Sequence, residues 1–288
     1  MAIKSVLVPL NEGERCFDVL QSAFVVARRF GAHITAVHAR QDTASVPFVF
    51  SNLTGALKEA VLQETAQASQ RVAGKIGERF VAACESAGVE ITETGTFSDE
   101  VTASFEVVEG RPVDVLIERA RLSDVTAIAS PQLGVNTVRQ TPVGETLESI
   151  MLGSGRPVLI VPQKWDARHC ENAAIGWNES VQSSRALAMT IPWLRMMGNV
   201  TLVVSRERSR RVALVQDYLR THGIEAGVKI LNRGEKSSGE ALLDRCREMK
   251  ADFLVVGGYS RARPRQLLFG GVTRHLMKNT DIVTVMVH

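Results

Sequence analysis

Residues 5–12, SVLVPLNE, and residues 173–180, AAIGWNES, are two copies of one short pattern. Each is an apolar run of strand length that ends in Asn-Glu and leads into a stretch with helical periodicity. The ends of the halves match as well. RPVLIVP at 156–162 closes the first and DIVTVMV at 281–287 closes the second, both β-branched runs. A pattern written twice points to one folding unit written twice. Between the copies, Gln163 to Glu171 (QKWDARHCE) is polar and non-periodic, which places a linker there.

Working outward, strand and helix alternate. In the first half the pattern predicts strands over 4–10 and His33–Ala39. A third strand starts at Val89–Thr94 and either continues or pairs through Ser104–Val108. Further strands fall at Val125–Ala129 and Pro157–Val161. Helices fall over 14–30, 55–87, Val113–Leu122 and Val143–Leu152, with Gly31 and Gly88 as their terminators. The second half predicts strands at Ala173–Trp177, Val200–Ser205, Val228–Leu231, Phe253–Gly257 and Ile282–Val287. Its helices are Ser180–Met196, Arg210–His222, Ser238–Met249 and Val272–Lys278. Continuous apolar strands separated by helices mean a parallel sheet covered on both faces, with right-handed crossovers. The expected architecture is α/β: two tandem Rossmann-like domains, 1–163 and 172–288, each with five main strands.

Composition narrows the function. The chain has 288 residues, enough for about two domains. Its formal net charge of +3 gives no electrostatic reason to expect nucleic acid or an anionic membrane as partner. Aromatic residues are 5%, too few for a base-stacking platform. No apolar run approaches the roughly 18 residues of a membrane span. The N-terminus reads as a first strand rather than a signal peptide. Cys16, Cys84, Cys170 and Cys246 are far apart and form no C-x-x-C pair. Reduced thiols in a cytoplasmic protein are the expectation.

In an open parallel sheet, ligands bind beyond the carboxyl ends of the strands. After the strand ending in Val256 comes GGYSRARPRQLLFGGVT, residues 257–273, with a helix starting near Gly271. Glycines between a strand and a helix start let backbone N–H groups approach an anion. Thr273 adds a hydroxyl, and Arg261, Arg263 and Arg265 add charge. Two readings stand: a phosphate loop, or a tight Gly-rich connection with arginines on a solvated face. The spacing is neither G-x-G-x-x-G nor Walker A, which argues against a dinucleotide site and a P-loop.

These residues resemble a tandem universal stress protein, of the adenine-nucleotide alpha-hydrolase-like class of fold. That family carries Gly, two residues, Gly, nine residues, Gly, then Ser or Thr. Here the pattern falls on Gly257, Ser260, Gly270 and Gly271, so the second glycine and the terminal hydroxyl residue are replaced. The resemblance implies that the second half binds ATP or another adenine nucleotide. Trp177 and Asn178 would meet the nucleoside, with Asn178 replacing the family's usual Asp. Ser205, at the end of the second strand, would offer backbone groups to adenine. Val256, Gly257, Ser260, Gly270, Gly271, Val272 and Thr273 would frame the phosphates. The other reading of Asn178 is a helix N-cap or turn residue.

In the first half the spacing is not recovered. Pro131 and Glu145 stand where an anion would approach, so this half reads as a pairing partner degenerate for ATP, and Asn11 as structural. The resemblance also implies pairing of 157–162 with 282–287 as an internal pseudo-dimer, with a homodimer of chains open. His38 and His275 have no partner pattern and read as packing or surface residues. Cys170 beside His169 is an incomplete metal pair. Segment 40–57, with Phe48, Val49 and Phe50 in polar surroundings, is either a contact loop or a short buried one. No G-x-S-x-G, H-E-x-x-H or carboxylate cluster is present, so neither catalytic nor metal-binding residues are expected. The expectation is a stress-response protein with little or no turnover. The rival is a nucleotide-free scaffold acting through protein contacts.

Overall fold

The computed structural model describes residues 2–40, 55–96, 99–131, 143–163, 165, 170–258 and 271–288. The first half runs β1 (Ser5–Pro9), α1 (Glu14–Phe30), β2 (His33–Arg40), α2 (Gly55–Ala87), β3 (Glu90–Ile91) and β4 (Thr102–Glu109). It continues with α3 (Pro112–Arg121), β5 (Val125–Ala129), α4 (Val143–Ser154) and β6 (Val158–Val161). The second half runs β7 (Asn172–Trp177), α5 (Val181–Leu194), β8 (Asn199–Ser205), a 3₁₀ segment Arg206–Arg211, α6 (Val212–Thr221) and β9 (Ala226–Leu231). It ends with α7 (Ser238–Glu248), β10 (Phe253–Gly257), α8 (Gly271–Asn279) and β11 (Val283–Val287). Segment 41–54, with Phe48, Val49 and Phe50, lies outside the described residues, as does His169.

The halves do not keep separate sheets. All eleven strands form one sheet in the order β3-β4-β2-β1-β5-β6-β11-β10-β7-β8-β9. Nine of the neighbouring pairs are parallel. The tenth, β6 with β11, is antiparallel, with Val158, Leu159 and Ile160 opposite Met286, Val285 and Thr284. Segments 157–162 and 282–287 therefore meet inside one chain, as the resemblance implied. The first half has six strands rather than five. The polar, Gly-containing stretch after Ile91 separates β3 from β4, and the two then pair in parallel. The predicted helix at Arg210–His222 starts as a 3₁₀ segment, because four arginines in six residues carry no apolar face to bury.

Alternation along the strands builds two cores. On one face Val6, Val8, Ile175, Phe253 and Val285 pack under α1, α2, α5 and α6. On the other, Leu7, Ala174, Leu254 and Met286 pack under α3, α4, α7 and α8. Central strands are apolar on both faces because both faces are covered. Local chemistry follows the sequence signals. Gly31 ends α1 at φ 58° with its N–H bonded to the Ala27 carbonyl, the left-handed cap that glycine adopts without strain.

The repeat is visible in the hydrogen bonds. Asp124, just before β5, accepts the backbone N–H groups of Lys4 and Ser5 at 2.8 and 3.0 Å. Asp252, just before β10, accepts those of Glu171 and Asn172 at 2.9 and 3.0 Å. Each carboxylate ties the start of its half's first strand to the start of the neighbouring one. Within each half the last two strand ends are tied alike: the Gly258 N–H donates to the Val287 carbonyl and the Ser130 N–H to that of Val161.

The two halves also share side chains. Trp193 of α5 meets Phe30 of α1 edge-on at 5.9 Å and Phe253 of β10 at 6.2 Å. It is 3% exposed, and its indole Nε1 has no hydrogen-bond partner. Trp193→Ala should cost about 3–5 kcal/mol in a urea melt, the range for emptying an aromatic core site. Trp193→Phe keeps the ring contacts and removes an unpaired buried donor, so it should cost clearly less. Equal losses in the two variants would contradict this account of the interface.

Candidate functional site

Strand order locates the crevices. In the second half β8 and β9 lie on one side of β7, and β10 and β11 on the other. The order reverses between β7 and β10, whose carboxyl ends lead to Asn178 and Gly257. In the first half it reverses between β1 and β5, leading to Asn11 and Ser130. Because β6 and β11 run antiparallel, the two crevices open at opposite edges of the sheet.

After β7 the chain turns on side chains. The Asn178 Oδ1 accepts from the Ser180 N–H at 3.2 Å and from the Ser180 hydroxyl at 2.6 Å. Ser180, not Asn178, is the N-cap of α5, accepting the Ser183 N–H at 3.1 Å. Glu179 between them sits at φ 61°, a left-handed conformation that costs a non-glycine residue about 1–2 kcal/mol. Asn11 builds the same kind of turn in the first half, accepting the Gly13 N–H at 2.8 Å.

After β10 the glycines have separate reasons. A Cβ on Gly257 would lie 2.5 Å from the Ser183 nitrogen and 2.6 Å from the Gln182 carbonyl carbon. The residue is glycine because the first turn of α5 packs directly on it. A Cβ on Gly258 would lie 2.9 Å from the Met151 sulfur of α4, so the base of this loop rests on the first half. Gly271, at the start of α8, has open space where a side chain would project. Val272 packs against Gly239 of α7, and Thr273 is buried at 4% exposure. The Val256 side chain lies in the core, which leaves only its backbone for a ligand. Ser205 ends β8, its hydroxyl accepting from Arg208 at 3.3 Å.

Of the residues expected at a site, Trp177, Asn178, Ser205, Val256 and Gly257 share the carboxyl edge of three adjacent strands, β8-β7-β10. Gly271, Val272 and Thr273 open α8. Ser260 and Gly270 lie outside the described residues, as do Arg261, Arg263 and Arg265.

One part of this edge escaped the sequence reading. Glu179, Glu207, Arg208, Arg210 and Arg211 line a cleft of about 600 Å³ over the ends of β7 and β8. Arg208 Nε lies 3.9 Å from Glu179 Oε2. The Ser205 hydroxyl, by hydrogen bonding, lowers the pKa of the Glu207 carboxyl from its ordinary value. RERSRR at 206–211 was the available signal, but only the fold brings it beside Glu179.

In the first half Ala129 occupies the strand-end position of Gly257, and Ser130 that of Gly258. Ser130 donates its hydroxyl to the Met277 carbonyl at 3.0 Å, so this strand end is also held by the other half. Loop 132–142 and the Glu145 side chain lie outside the described residues. Sequence reasoning passed over Arg15, whose Nη2 donates to the Val161 carbonyl at 3.3 Å while Nε and Nη1 are buried without partners.

The remaining candidates are accounted for by packing. His38 falls within β2, its Nδ1 3.0 Å from the Leu10 carbonyl, and His275 packs on Gly239. Among the described residues no cluster of three or more His, Cys, Asp or Glu could hold a metal. No helix there is long and apolar enough to cross a membrane. All four cysteines are free and buried. Burial pushes the Cys16 thiol up, Cys84 to about 11 and Cys246 to about 12. Raised thiol values favour the folded state fully below the ordinary value of 9.0, and that contribution is lost as pH rises through 11 to 12. At pH 8 Ellman's reagent should modify the native thiols roughly 100-fold more slowly than the unfolded ones. Rapid labelling of any one of them in the native protein would contradict the burial.

A sequence model of the Universal stress protein family matches residues 2–162. The matched half is the first, although the loop spacing that carries the resemblance lies in the second. No curated protein matches the chain. Among solved structures, a universal stress protein from Archaeoglobus fulgidus DSM 4304 superposes with a TM-score of 0.70 at 15% identity, covering 98% of this chain and 95% of that one. A functionally unknown protein from Pseudomonas aeruginosa PAO1 superposes with a TM-score of 0.57 at 11% identity, covering 99% and 92%. At these identities the likeness concerns the fold.

Proposed function

The chain belongs to the universal stress protein family, and from that premise we propose that it is a cytoplasmic stress-response protein whose second half binds ATP or another adenine nucleotide. The observation that carries this reading is the convergence of Asn178, Ser205 and Gly257 on the carboxyl edge at the β7/β10 reversal. The open position at Gly271 supports it, because the N-terminus of α8 can accept an anion there. Asn178 would hydrogen-bond the ribose or the adenine edge, and α8 would face the phosphates. Turnover would be slow or absent, since no general base is placed toward a terminal phosphate by the described residues. The protein would act through partners that sense its nucleotide state. The covered β6/β11 junction would serve as an internal pseudo-dimer, with further pairing of chains open.

A second reading has its own support. Asn178 and Gly257 each have a structural reason, the turn before α5 and the packing of its first turn. A nucleotide-free scaffold is consistent with both.

Gly271→Asp separates the two. The position has room for a side chain, and an acidic residue in a first helical turn suits the helix dipole, so folding should be unimpaired. Its carboxylate would repel a phosphate. ATP at 100 times its dissociation constant should stabilise the natural protein by about 2.7 kcal/mol in a thermal melt. That shift should largely vanish in the variant, and nucleotide should co-purify with the natural protein alone. No shift and no co-purifying nucleotide in the natural protein would leave the scaffold reading in place.

A further inference from the structure

The arginine cleft at the ends of β7 and β8 adjoins the proposed nucleotide crevice. It begins at Glu179, the residue after Asn178, and is completed by the segment that follows β8. Asn178, the residue before Glu179, is the side chain assigned to the ribose or the adenine edge, so the cleft adjoins the nucleoside. A carboxylate there suits free ribose hydroxyls, whereas a guanidinium suits a phosphate on them. Here three guanidiniums share the cleft with two carboxylates, so the cleft carries net positive charge. Glu179 is paired with Arg208, and Glu207 is turned onto Ser205. Arg210 and Arg211 form no ion pair among the described residues and line the cleft with their charge uncompensated. Planar, multiply donating guanidiniums match the oxygens of a phosphate better than any neutral group does.

We propose that this cleft takes a phosphate carried on the 2′ or 3′ oxygen of the ribose, so that the ligand class is an adenosine bearing a second phosphate besides the one at its 5′ position. The inference rests on the nucleotide reading and names the ligand class for the same crevice. Arg210 and Arg211 are its specificity-determining residues, and Arg208 is held in place by Glu179.

Calorimetric titration of the full chain with AMP, adenosine 2′,5′-bisphosphate and adenosine 3′,5′-bisphosphate tests it. One bisphosphate should bind roughly tenfold or more tightly than AMP, the effect of one charged hydrogen-bonding site. Which isomer wins identifies the ribose oxygen. The advantage should shrink on raising the salt, as ion pairing does. In the R210Q/R211Q variant, which alters exposed side chains only, the three ligands should bind alike. Equal binding of all three by the natural protein overturns the proposal while upholding the nucleotide reading. So does a bisphosphate preference that survives in the variant. Binding of none of them overturns the proposal, and the nucleotide reading as well if ATP is also unbound.

Discussion

The antiparallel pairing of β6 with β11 is the constraint on which the rest of the molecule depends. VLIV at 158–161 and VTVMV at 283–287 are buried along their whole length. Left as the edge of a separate five- or six-stranded sheet, either strand would expose unpaired backbone groups beside apolar side chains, a template for aggregation. Joining them satisfies both edges at once and moves the free edges out to β3 and β9. The two-residue length of β3 and the outward Lys229 of β9 make poor templates. An antiparallel junction also imposes an approximate two-fold relation. Gly258 therefore rests on Met151 of the other half, while Ser130 bonds to the carbonyl of Met277, the corresponding helix position. The ends of β5 and β10, where a ligand loop would start, are each built against the last helix of the other half.

Much of this was legible because the sequence repeats itself and because buried parallel strands carry an unmixed apolar signal. Strand and helix positions followed from that signal almost throughout. What was hidden has physical reasons. The separation of β3 from β4 depends on a parallel return that no local pattern encodes. The merging of two sheets into one was suggested by resemblance, not by periodicity, since a terminal strand looks the same whether its partner lies within the chain or in another. The 3₁₀ segment at 206–211 has a charge pattern with no apolar face, and only tertiary placement gives it a shape.

The sequence marked strand-end residues that the fold gathers on one edge, but not the structural causes of those residues. Asn178 and Gly257 stand out in the sequence as a polar strand end and a glycine after a strand. The structure supplies a packing reason for each, and these compete with the ligand reading. Val256 illustrates the limit of motif reasoning: its place beside the glycine is correct, yet its side chain belongs to the core. Glu179 illustrates the converse. Nothing in the string NES at 178–180 marks the middle residue, whereas its left-handed backbone and its ion pair across to Arg208 place it on the rim of a cleft.

One asymmetry between the halves is a single Cβ at the strand end before the loop. Gly257 lets the first turn of α5 sit within van der Waals reach of the β10 backbone, which brings the α5 N-terminus down onto the crevice. At the matching position Ala129 carries a methyl group, so α1 cannot approach β5 by the same contact. The N-terminal turn of α1 is instead steered by Asn11 and Cys16, whose thiol donates to the Asn11 and Gly13 carbonyls. Arg15 reaches over to the end of β6. A helix N-terminus carries partial positive charge that falls off within its first turn. Its close approach therefore matters most for an anion in that crevice. The packing reason for Gly257 and the binding reason are consequently not alternatives. The close approach that packing requires also brings the partial positive charge of the α5 N-terminus to the second-half crevice.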